Sequence, residues 1–531
     1  MLRGRTPYQN LSRISRLGLA PRIRINIPAQ RVQSLSTSHS PKSQSTSAPK
    51  HPTMPLLSLE TVNPATLKVE YAVRGELAIK AEHYRDLLRT RKNDHGLPFD
   101  KVVTANIGNP QQKGLDQAPL TFGRQVAALL EYPQLMTLGK DIFPKDVIQR
   151  AQELYDEIGS IGAYSHSQGI PFIRENVAKF IQERDGFPSD PSQIFLTAGA
   201  SAGVSLILNI LISSPNSGVL IPIPQYPLYT AALAQHSGTP VPYYLDESSG
   251  WSTDPAGVER AILDAKAQGI DVKSLVVINP GNPTGGILDA LTIKALLGLC
   301  EKYQLVMLAD EVYQSNLHQR DVHGFTSFKK VLRETQSPVP LISFHSISKG
   351  VTGECGRRGG YFECANVAPE IIALIYKMVS VGLCPAVSGQ VGVDCLVRPP
   401  REGEESYALW KKETDAIHAA LAERTHIMVE RLNALPGISC APVSGALYLF
   451  PQLHLPPAAV RAAKEAGQAP DMFYAHALLD QTGICVVPGS GFGQKEGEAH
   501  FRLTCLCAGV EEYVDKLSKF HIGFMEKYSG Q

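Results

Sequence analysis

The chain has 531 residues, 43% of them hydrophobic and 19% charged, and its formal net charge is +1. This balance creates no overall field that would attract nucleic acid or a membrane surface, so the composition favours a protein that acts on small molecules. The longest apolar run, residues 204–212, is well short of the roughly 18 residues that span a bilayer. A length above about 250 to 300 residues predicts two or more domains.

The first 50 residues differ in composition from the rest of the chain. No Asp or Glu precedes Glu60, whereas seven arginines lie between Arg3 and Arg31, and serines crowd positions 34–47. Apolar residues at 11, 14 and 17 recur at near-helical spacing. These features are typical of a mitochondrial transit peptide, and a disordered basic tail is the alternative. We expect a protein of the mitochondrial matrix, with a cytosolic form if translation starts at Met54.

Short apolar runs alternate with helical lengths along the chain. A helix is expected at 76–90 and a strand at 102–107, followed by strands at 218–223, 274–278, 305–309 and 340–344. Short strands separated by helices are typical of an α/β fold with a mainly parallel sheet. A proline-rich, charged segment at 398–405 then marks a domain boundary, and a long amphipathic helix is expected at 415–435.

The cysteines indicate neither a disulfide framework nor a metal site. There are nine, with one close pair, Cys505 and Cys507, and no Cys-x-x-Cys motif. We expect reduced and mostly buried thiols, and no bound metal.

Two loops that follow predicted strands are rich in small or rigid residues. Leu196-Thr-Ala-Gly-Ala-Ser-Ala-Gly203 leads from a strand into a helix, where free backbone N–H groups can bind an anion. Asn279-Pro-Gly-Asn-Pro-Thr-Gly-Gly286 has two Asn-Pro pairs that fix an extended backbone and aim the amide of Asn282. A plain strand-to-helix turn and a rigid turn are the respective alternatives.

Two further loops carry charge. Asp310-Glu-Val-Tyr313 places a carboxylate at the end of a buried strand, which costs free energy unless a cation or an ion-pair partner is near. Ser343-Phe-His-Ser-Ile-Ser-Lys349 leads into a glycine-rich loop with Arg357 and Arg358. A lone lysine such as Lys349 is ordinarily a surface residue. That explanation does not account for the unusual residues of the other three loops.

Ligands collect beyond the carboxyl ends of the strands in an open α/β sheet, so the four loops should meet. An anion cradle, an amine and a carboxylate together suit an aromatic aldehyde that carries a phosphate. The loops resemble, in order, the signature elements of the fold-type I pyridoxal-phosphate aminotransferases: Asn-Pro-x-Asn-Pro-Thr-Gly, Asp-x-x-Tyr, Ser-x-Ser-Lys and Gly-x-Arg-x-Gly. The resemblance runs from about residue 60 to the end.

The resemblance implies a large domain with a mainly parallel seven-stranded sheet and a smaller α/β domain built from both chain ends. The expected divisions are a disordered transit peptide at 1–50, an N-terminal part of the small domain at 60–125, a large cofactor-binding domain at 126–395 and a C-terminal part of the small domain at 396–531.

The resemblance also implies roles for the residues that hold pyridoxal 5'-phosphate. Lys349 would be the Schiff-base lysine and Asp310 the partner of the pyridinium nitrogen, while Asn282 and Tyr313 would bind the ring hydroxyl. Tyr226 would stack on the ring; otherwise it is an aromatic core residue.

The phosphate and the substrate would be held by other residues of the same motifs. The phosphate ligands implied are Ala200, Ser201, Ser346, Ser348 and Arg358, with Arg357 as a competitor for the last position. Tyr164 would reach the phosphate of a neighbouring subunit, which implies a homodimer with shared active sites. Arg502 would bind the substrate α-carboxylate, unless it is a surface charge, and Ile107 and Gly108 would close over that carboxylate.

Several stretches resemble one branch of the family, the alanine aminotransferases and their glutamate:glyoxylate relatives. They include Gly162-Ala-Tyr-Ser-His-Ser-Gln-Gly169 and Ser444-Gly-Ala-Leu-Tyr-Leu-Phe-Pro451. The leading hypothesis is transfer of the amino group of L-alanine to 2-oxoglutarate by a ping-pong cycle, and glutamate:glyoxylate transamination is the alternative. A ligand-sensing transcription regulator on the same fold would need a helix-turn-helix, for which the Arg/Ser leader offers no room.

Overall fold

The computed structural model describes residues 57–91, 94–318 and 324–530. The predicted transit peptide and the alternative start at Met54 lie outside the described residues.

Fourteen strands form four sheets within the described residues. In chain order they are β1 (Val103–Thr104), β2 (Ile194–Thr197), β3 (Ser217–Ile223), β4 (Thr239–Tyr244), β5 (Asp271–Ile278), β6 (Val306–Asp310), β7 (Leu341–Ser346), β8 (Gly360–Ala365), β9 (Ile438–Ser439), β10 (Tyr448–Leu449), β11 (Gln452–Leu453), β12 (Ile484–Cys485), β13 (Val487–Pro488) and β14 (Phe501–Thr504).

Sixteen α-helices accompany these strands in the same part of the chain. They are α1 (Glu76–Arg91), α2 (Thr121–Glu131), α3 (Leu135–Leu138), α4 (Lys145–Ile158), α5 (Pro171–Asp185), α6 (Ala200–Leu211), α7 (Leu228–His236), α8 (Pro255–Ala267), α9 (Ala290–Tyr303), α10 (Phe328–Glu334), α11 (Pro369–Val381), α12 (Val387–Val397), α13 (Tyr407–Asn433), α14 (Pro457–Glu465), α15 (Pro470–Thr482) and α16 (Val510–Ser529). Short 3-10 helices include Thr66–Lys68, Ala72–Arg74 and Cys355–Arg357.

The main sheet has seven strands in the order β2-β8-β7-β6-β5-β3-β4. The β3, β4, β5, β6 and β7 pairings are parallel, whereas β8 runs antiparallel to both β7 and β2. Six strands therefore share one direction and end at the same edge of the sheet. This confirms the predicted α/β class with a mainly parallel sheet.

The central strands of the sheet contain apolar runs that are buried on both faces. In β5, Leu275 and Val277 belong to a core that includes residues of α8, α9 and α10. Their neighbours Val276 and Ile278 belong to a second core with residues of α6 and α7. Side chains of a strand point to alternate faces, so an unbroken apolar run is what a sheet buried on both sides requires.

A smaller α/β region brings the two ends of the chain together. Strand β1 pairs in parallel with β12, and Leu77 of α1 lies in the same hydrophobic core as residues of α13, α15 and α16. Lys80 of α1 forms an ion pair of 2.7 Å with Asp480 of α15. Both chain ends thus contribute to one α/β region, as expected, whereas the division into domains with boundaries at 125 and 395 stays a prediction.

The predicted elements differ from the observed ones mainly at their ends. The expected strand at 102–107 is ordered as a strand only over Val103–Thr104, because the chain then turns into the loop that carries Gly108. The long helix begins at Tyr407, eight residues before the predicted start at 415. All nine cysteines are free and six are buried, as expected. Among the described helices, none combines the length and the apolar composition of a membrane span.

Candidate active site

A cavity of about 460 Å³ opens where the strands of the main sheet end. Loops after β2, β3, β5, β6 and β7 contribute to its wall, because parallel strands deliver their carboxyl ends to one edge. Every predicted site residue except Tyr164 lines this cavity: Ile107, Gly108, Ala200, Ser201, Tyr226, Asn282, Asp310, Tyr313, Ser346, Ser348, Lys349, Arg358 and Arg502. Tyr164 is 81% exposed and lies outside it.

Asp310 ends β6 as a buried carboxylate at the base of the cavity. The hydroxyl of Tyr229 donates to Oδ2 at 2.9 Å, and the backbone N–H of Val312 lies 3.4 Å from Oδ1. Burial raises the pKa of Asp310 to about 6, although these hydrogen bonds and the charge of Lys349 act to lower it. A cation bound beside this carboxylate would lower that pKa further.

Lys349 follows β7 and directs its amine into the cavity. Its Nζ donates to the backbone oxygen of Gly108 and lies 5.8 Å from the centroid of the Tyr313 ring. A side chain at Gly108 would overlap the hydroxyl of Tyr448 and approach Nζ to 3.1 Å. The absence of a Cβ at position 108 therefore lets this loop contact the lysine.

A chain of polar groups connects the predicted ring-binding residues. The amide of Asn282 donates to the hydroxyl of Tyr313 at 3.3 Å, and that hydroxyl donates to the hydroxyl of Tyr448 at 3.2 Å. Burial raises the pKa of Tyr313 well above its usual value of 10. Burial also acts to raise the pKa of Tyr448, but the cations of Lys349 and Arg502 outweigh it and the pKa is lowered.

Arg502 is a fully buried guanidinium in the cavity wall, not a surface charge. Its Nη1 donates to the side-chain oxygen of Asn282 at 3.0 Å, and its Nη2 donates to the backbone oxygen of Asn106 at 2.5 Å. The guanidinium carbon lies 4.1 Å from the ring centroid of Tyr448 and 4.7 Å from that of Phe492. Nε is buried and has no hydrogen-bond partner, so the group keeps donor capacity for an anion.

The two competing arginines point to different places. Arg358 donates to the backbone oxygens of Ala198 at 2.9 Å and Cys355 at 2.8 Å, and lines the cavity beside the start of α6. Arg357 instead forms an ion pair of 3.1 Å with Glu354 and does not line the cavity. A side chain at Gly199 would overlap the guanidinium of Arg358, so the strand-to-helix turn holds that arginine closely.

The sequence motifs did not reveal several residues in the cavity wall or directly beneath it. Tyr229 donates a hydrogen bond to Asp310, and Tyr448 accepts one from Tyr313. The hydroxyls of Tyr71 and Tyr226 are hydrogen-bonded to each other. Tyr229 lies in the first turn of α7, three residues beyond Tyr226, which precedes the helix. Tyr448 lies in the quoted stretch 444–451, but no role could be predicted for it or for Tyr71, because their roles depend on contacts between distant parts of the chain.

Comparison with known proteins agrees with this geometry. Residues 133–520 match the family described as aminotransferase class I and II. The chain belongs to this family. The mitochondrial alanine aminotransferase of Saccharomyces cerevisiae is 48% identical to this aminotransferase over 487 residues, which are 89% of the chain and 81% of the relative. Glutamate–glyoxylate aminotransferase 1 of Arabidopsis thaliana is 46% identical over 482 residues, 89% of the chain and 97% of the relative.

Solved structures give the same fold. The alanine aminotransferase of Pyrococcus furiosus superposes with a TM-score of 0.68 over 87% of this chain and 100% of its own, at 24% identity. At that identity the likeness supports the fold-type I architecture alone.

Proposed function

We propose that this aminotransferase converts L-alanine and 2-oxoglutarate to pyruvate and L-glutamate. The observation that carries the proposal is the meeting of Lys349, Asp310 and Arg502 at one cavity, since they provide an amine, a buried carboxylate and a buried guanidinium. The choice of alanine is supported by relatives named alanine aminotransferase at 44 to 48% identity.

The cavity residues fit pyridoxal 5'-phosphate, the cofactor implied by the family. A phosphate suits the start of α6 with Ser201, Ser348 and Arg358, because helix N–H groups, hydroxyls and a guanidinium all donate to it. A protonated ring nitrogen suits Asp310, whose burial is unfavourable while its charge lacks a counter-ion. We propose that these groups, with Lys349 at the aldehyde, hold the cofactor.

When bound, the cofactor supplies an electron sink for the pair released at the substrate Cα. Arg502 binds the α-carboxylate and so orients the Cα–H bond toward the amine of Lys349. The amine of Lys349 removes the Cα proton as a general base. As the conjugate acid, it then donates the proton back, which completes the transfer of the amino group. Asn282 and Tyr313 bind the ring hydroxyl, and the buried position of Asp310 keeps water from competing for its charge.

The test is a single half-reaction. Protein loaded with cofactor is mixed with L-alanine without an acceptor, and pyruvate is counted per active site, with Lys349→Ala as the control. We expect one pyruvate per site and none from the variant. Glutamate turnover without alanine turnover would leave an aminotransferase but refute the choice of alanine.

Glutamate:glyoxylate transamination remains the second candidate because the Arabidopsis relative with that name is as similar as several alanine aminotransferases. The acceptors pyruvate and glyoxylate, each supplied with L-glutamate, separate the two. A higher kcat/KM for pyruvate supports our proposal, and a higher value for glyoxylate replaces it.

We also propose a homodimer in which Tyr164 reaches the phosphate of the neighbouring site. Its exposure and its position outside the cavity of its own chain support this role. Hybrid dimers of Lys349→Ala and Tyr164→Phe chains test it. If Tyr164 acts on the site of the partner chain, each hybrid has one intact site, so activity rises on mixing. If Tyr164 acts on the site of its own chain, no hybrid has an intact site and activity does not rise.

The basic leader supports a mitochondrial location, which several relatives carry in their names. We propose import into the matrix, with a cytosolic form from Met54. Fusion of residues 1–53 to a fluorescent protein should direct it to mitochondria, and a cytosolic fusion would refute import.

A further inference from the structure

A second cavity, of about 490 Å³, lies in the small α/β region and is about as large as the active-site cavity. Its wall includes residues of α1, of β1 and of the first two turns of α16. Among the described residues, none lines both cavities. The proposed transamination gives this second cavity no task.

The side chains around the second cavity carry more positive than negative charge. Within the described ranges four are cationic and two are anionic: Arg85, Lys101, Lys113, Lys516, Glu82 and Glu512. Glu82 forms an ion pair of 2.7 Å with Arg85. Glu512 forms one of 3.0 Å with Lys516. The amines of Lys101 and Lys113 have neither a hydrogen bond nor an ion pair in the described part of the chain, so two cations remain for an anionic ligand.

Neutral hydrogen-bond donors also line the second cavity. Tyr513 is only 3% exposed, and its buried hydroxyl has no hydrogen-bond partner among the described residues. An unpaired buried hydroxyl costs free energy, and a ligand oxygen would remove that cost. The 20-residue helix α16 also begins at this wall, after Gly509, which has no side chain to accept hydrogen bonds from the first turn. The N–H groups and the dipole at that end of the helix favour an anion.

One loop connects the second cavity to the active site. Residues 102–104 and 112–114 line the second cavity, whereas residues 107–109, which lie between them, line the active-site cavity. In the active site, the backbone oxygen of Gly108 in this loop accepts a hydrogen bond from Lys349. A ligand that bridges the two unpaired lysines would therefore hold both ends of the loop that reaches the active site.

We propose that the second cavity binds a small organic phosphate that acts as an effector. Lys101, Lys113, Tyr513 and the first turn of α16 supply ammonium, hydroxyl and backbone N–H donors, all of which bind phosphate oxygens. A phosphate monoester carries roughly two negative charges at neutral pH, which match the two unpaired lysines. A volume of about 490 Å³ leaves room for the organic part. The site is additional to the proposed function, since none of these residues lines the active-site cavity.

Calorimetric titration of the cofactor-loaded protein with glycerol 3-phosphate, at constant ionic strength, tests the site. We expect the double variant Lys101→Gln/Lys113→Gln to bind this probe at least about 10-fold more weakly than the wild type. Tyr513→Phe should bind it about 5-fold more weakly, although the variant loses no hydrogen bond within the described residues and should fold normally.

The matched control is Lys294→Gln/Lys464→Gln, which removes two exposed lysines of α9 and α14 that line neither cavity. It should bind glycerol 3-phosphate like the wild type. Equal weakening in the two double variants, or wild-type affinity in Lys101→Gln/Lys113→Gln, would overturn the site.

Steady-state rates with L-alanine and 2-oxoglutarate test the coupling, and this measurement rests on the proposed function. Because the bound phosphate holds the loop at the active site, saturating glycerol 3-phosphate should lower the KM for L-alanine about 5-fold and change kcat less than about 2-fold. Direct competition at Arg502 would instead raise KM, equally in the wild type and in Lys101→Gln/Lys113→Gln. A wild-type KM that rises or does not change would overturn the effector role. A wild-type protein that binds the probe but does not convert L-alanine would refute the proposed function alone.

Discussion

The hydroxyl of Tyr229 donates a hydrogen bond of 2.9 Å to Oδ2 of Asp310, and both side chains are buried beneath the cavity. The orientation of this carboxylate matters as well as its charge. The hydrogen bond from Tyr229 fixes Oδ2 and so determines how the carboxylate faces a ligand. Tyr229, at the start of α7, thus connects the loop after β3 to the end of β6.

Tyr229→Phe should impair catalysis without removing any group that contacts substrate. The lost hydrogen bond to a charged group is worth about 1.5 to 3 kcal/mol, which corresponds to a fall in kcat of roughly 10- to 100-fold if it stabilises the transition state. The hydrogen bond lowers the pKa of Asp310. Its removal raises that pKa, so the acidic limb of the pH–rate profile should move to higher pH.

The matched control is Tyr243→Phe. Tyr243 is also buried in the main sheet, but its hydroxyl donates to the backbone oxygen of Val276 at 2.8 Å. That variant should lose comparable stability and keep the pH profile of the wild type. Equal shifts in the two profiles would assign the effect to packing and not to Asp310.

Gly199→Ala should weaken cofactor binding. Gly199 has a φ of +86° and ψ of 163°, a conformation that is open essentially to glycine alone, and a Cβ there would overlap the guanidinium of Arg358. We expect the dissociation constant for pyridoxal phosphate, measured by fluorescence quenching, to rise at least about 10-fold as Arg358 is displaced. Gly403→Ala, with a φ of +94° and open space around it, is the strain control and should leave cofactor affinity unchanged.

Most of the cavity residues that could be predicted from the sequence lie in loops directly after strands. Lys349, Asp310 and Asn282 could be predicted because each follows an apolar run, and parallel strands end at one edge. The role of Tyr448 could not, because it depends on how distant parts of the chain pack against the sheet. The start of the long helix at Tyr407 was also missed, since the charged residues before 415 gave no clear apolar period.

Arg502→Lys should weaken binding of every amino acid substrate. Lysine keeps the charge but cannot donate at once to Asn282, Asn106 and a carboxylate with the fork geometry of arginine. We expect kcat/KM to fall about 100-fold or more for both L-alanine and L-glutamate. Arg424→Lys, a conservative change at an ion pair with Asp116 away from the cavity, is the control. A loss confined to one substrate would refute the assignment to the α-carboxylate.

A buried charge cluster next to Asp310 should make stability depend on pH. Glu311 lies 3.9 Å from Arg184 and accepts the backbone N–H of Phe328 at 2.8 Å. Burial raises the pKa of Glu311 to about 7 from its usual 4.5, although Arg184 acts to lower it. The folded protein therefore binds more protons than the unfolded chain between these values, and this group's stabilising effect is lost as the pH rises from about 4.5 through 7.

Glu311→Gln removes that titration. Relative to the variant, the wild-type free energy of unfolding should fall by about 3 kcal/mol between pH 4.5 and 8, measured by urea unfolding of the cofactor-free protein. Asp310 titrates in both proteins, so its contribution cancels in the difference. The exposed Glu157→Gln should give a curve parallel to the wild type. If the Glu311→Gln curve is parallel as well, the pKa of Glu311 is the same in the folded and the unfolded protein, and Arg184 offsets its burial.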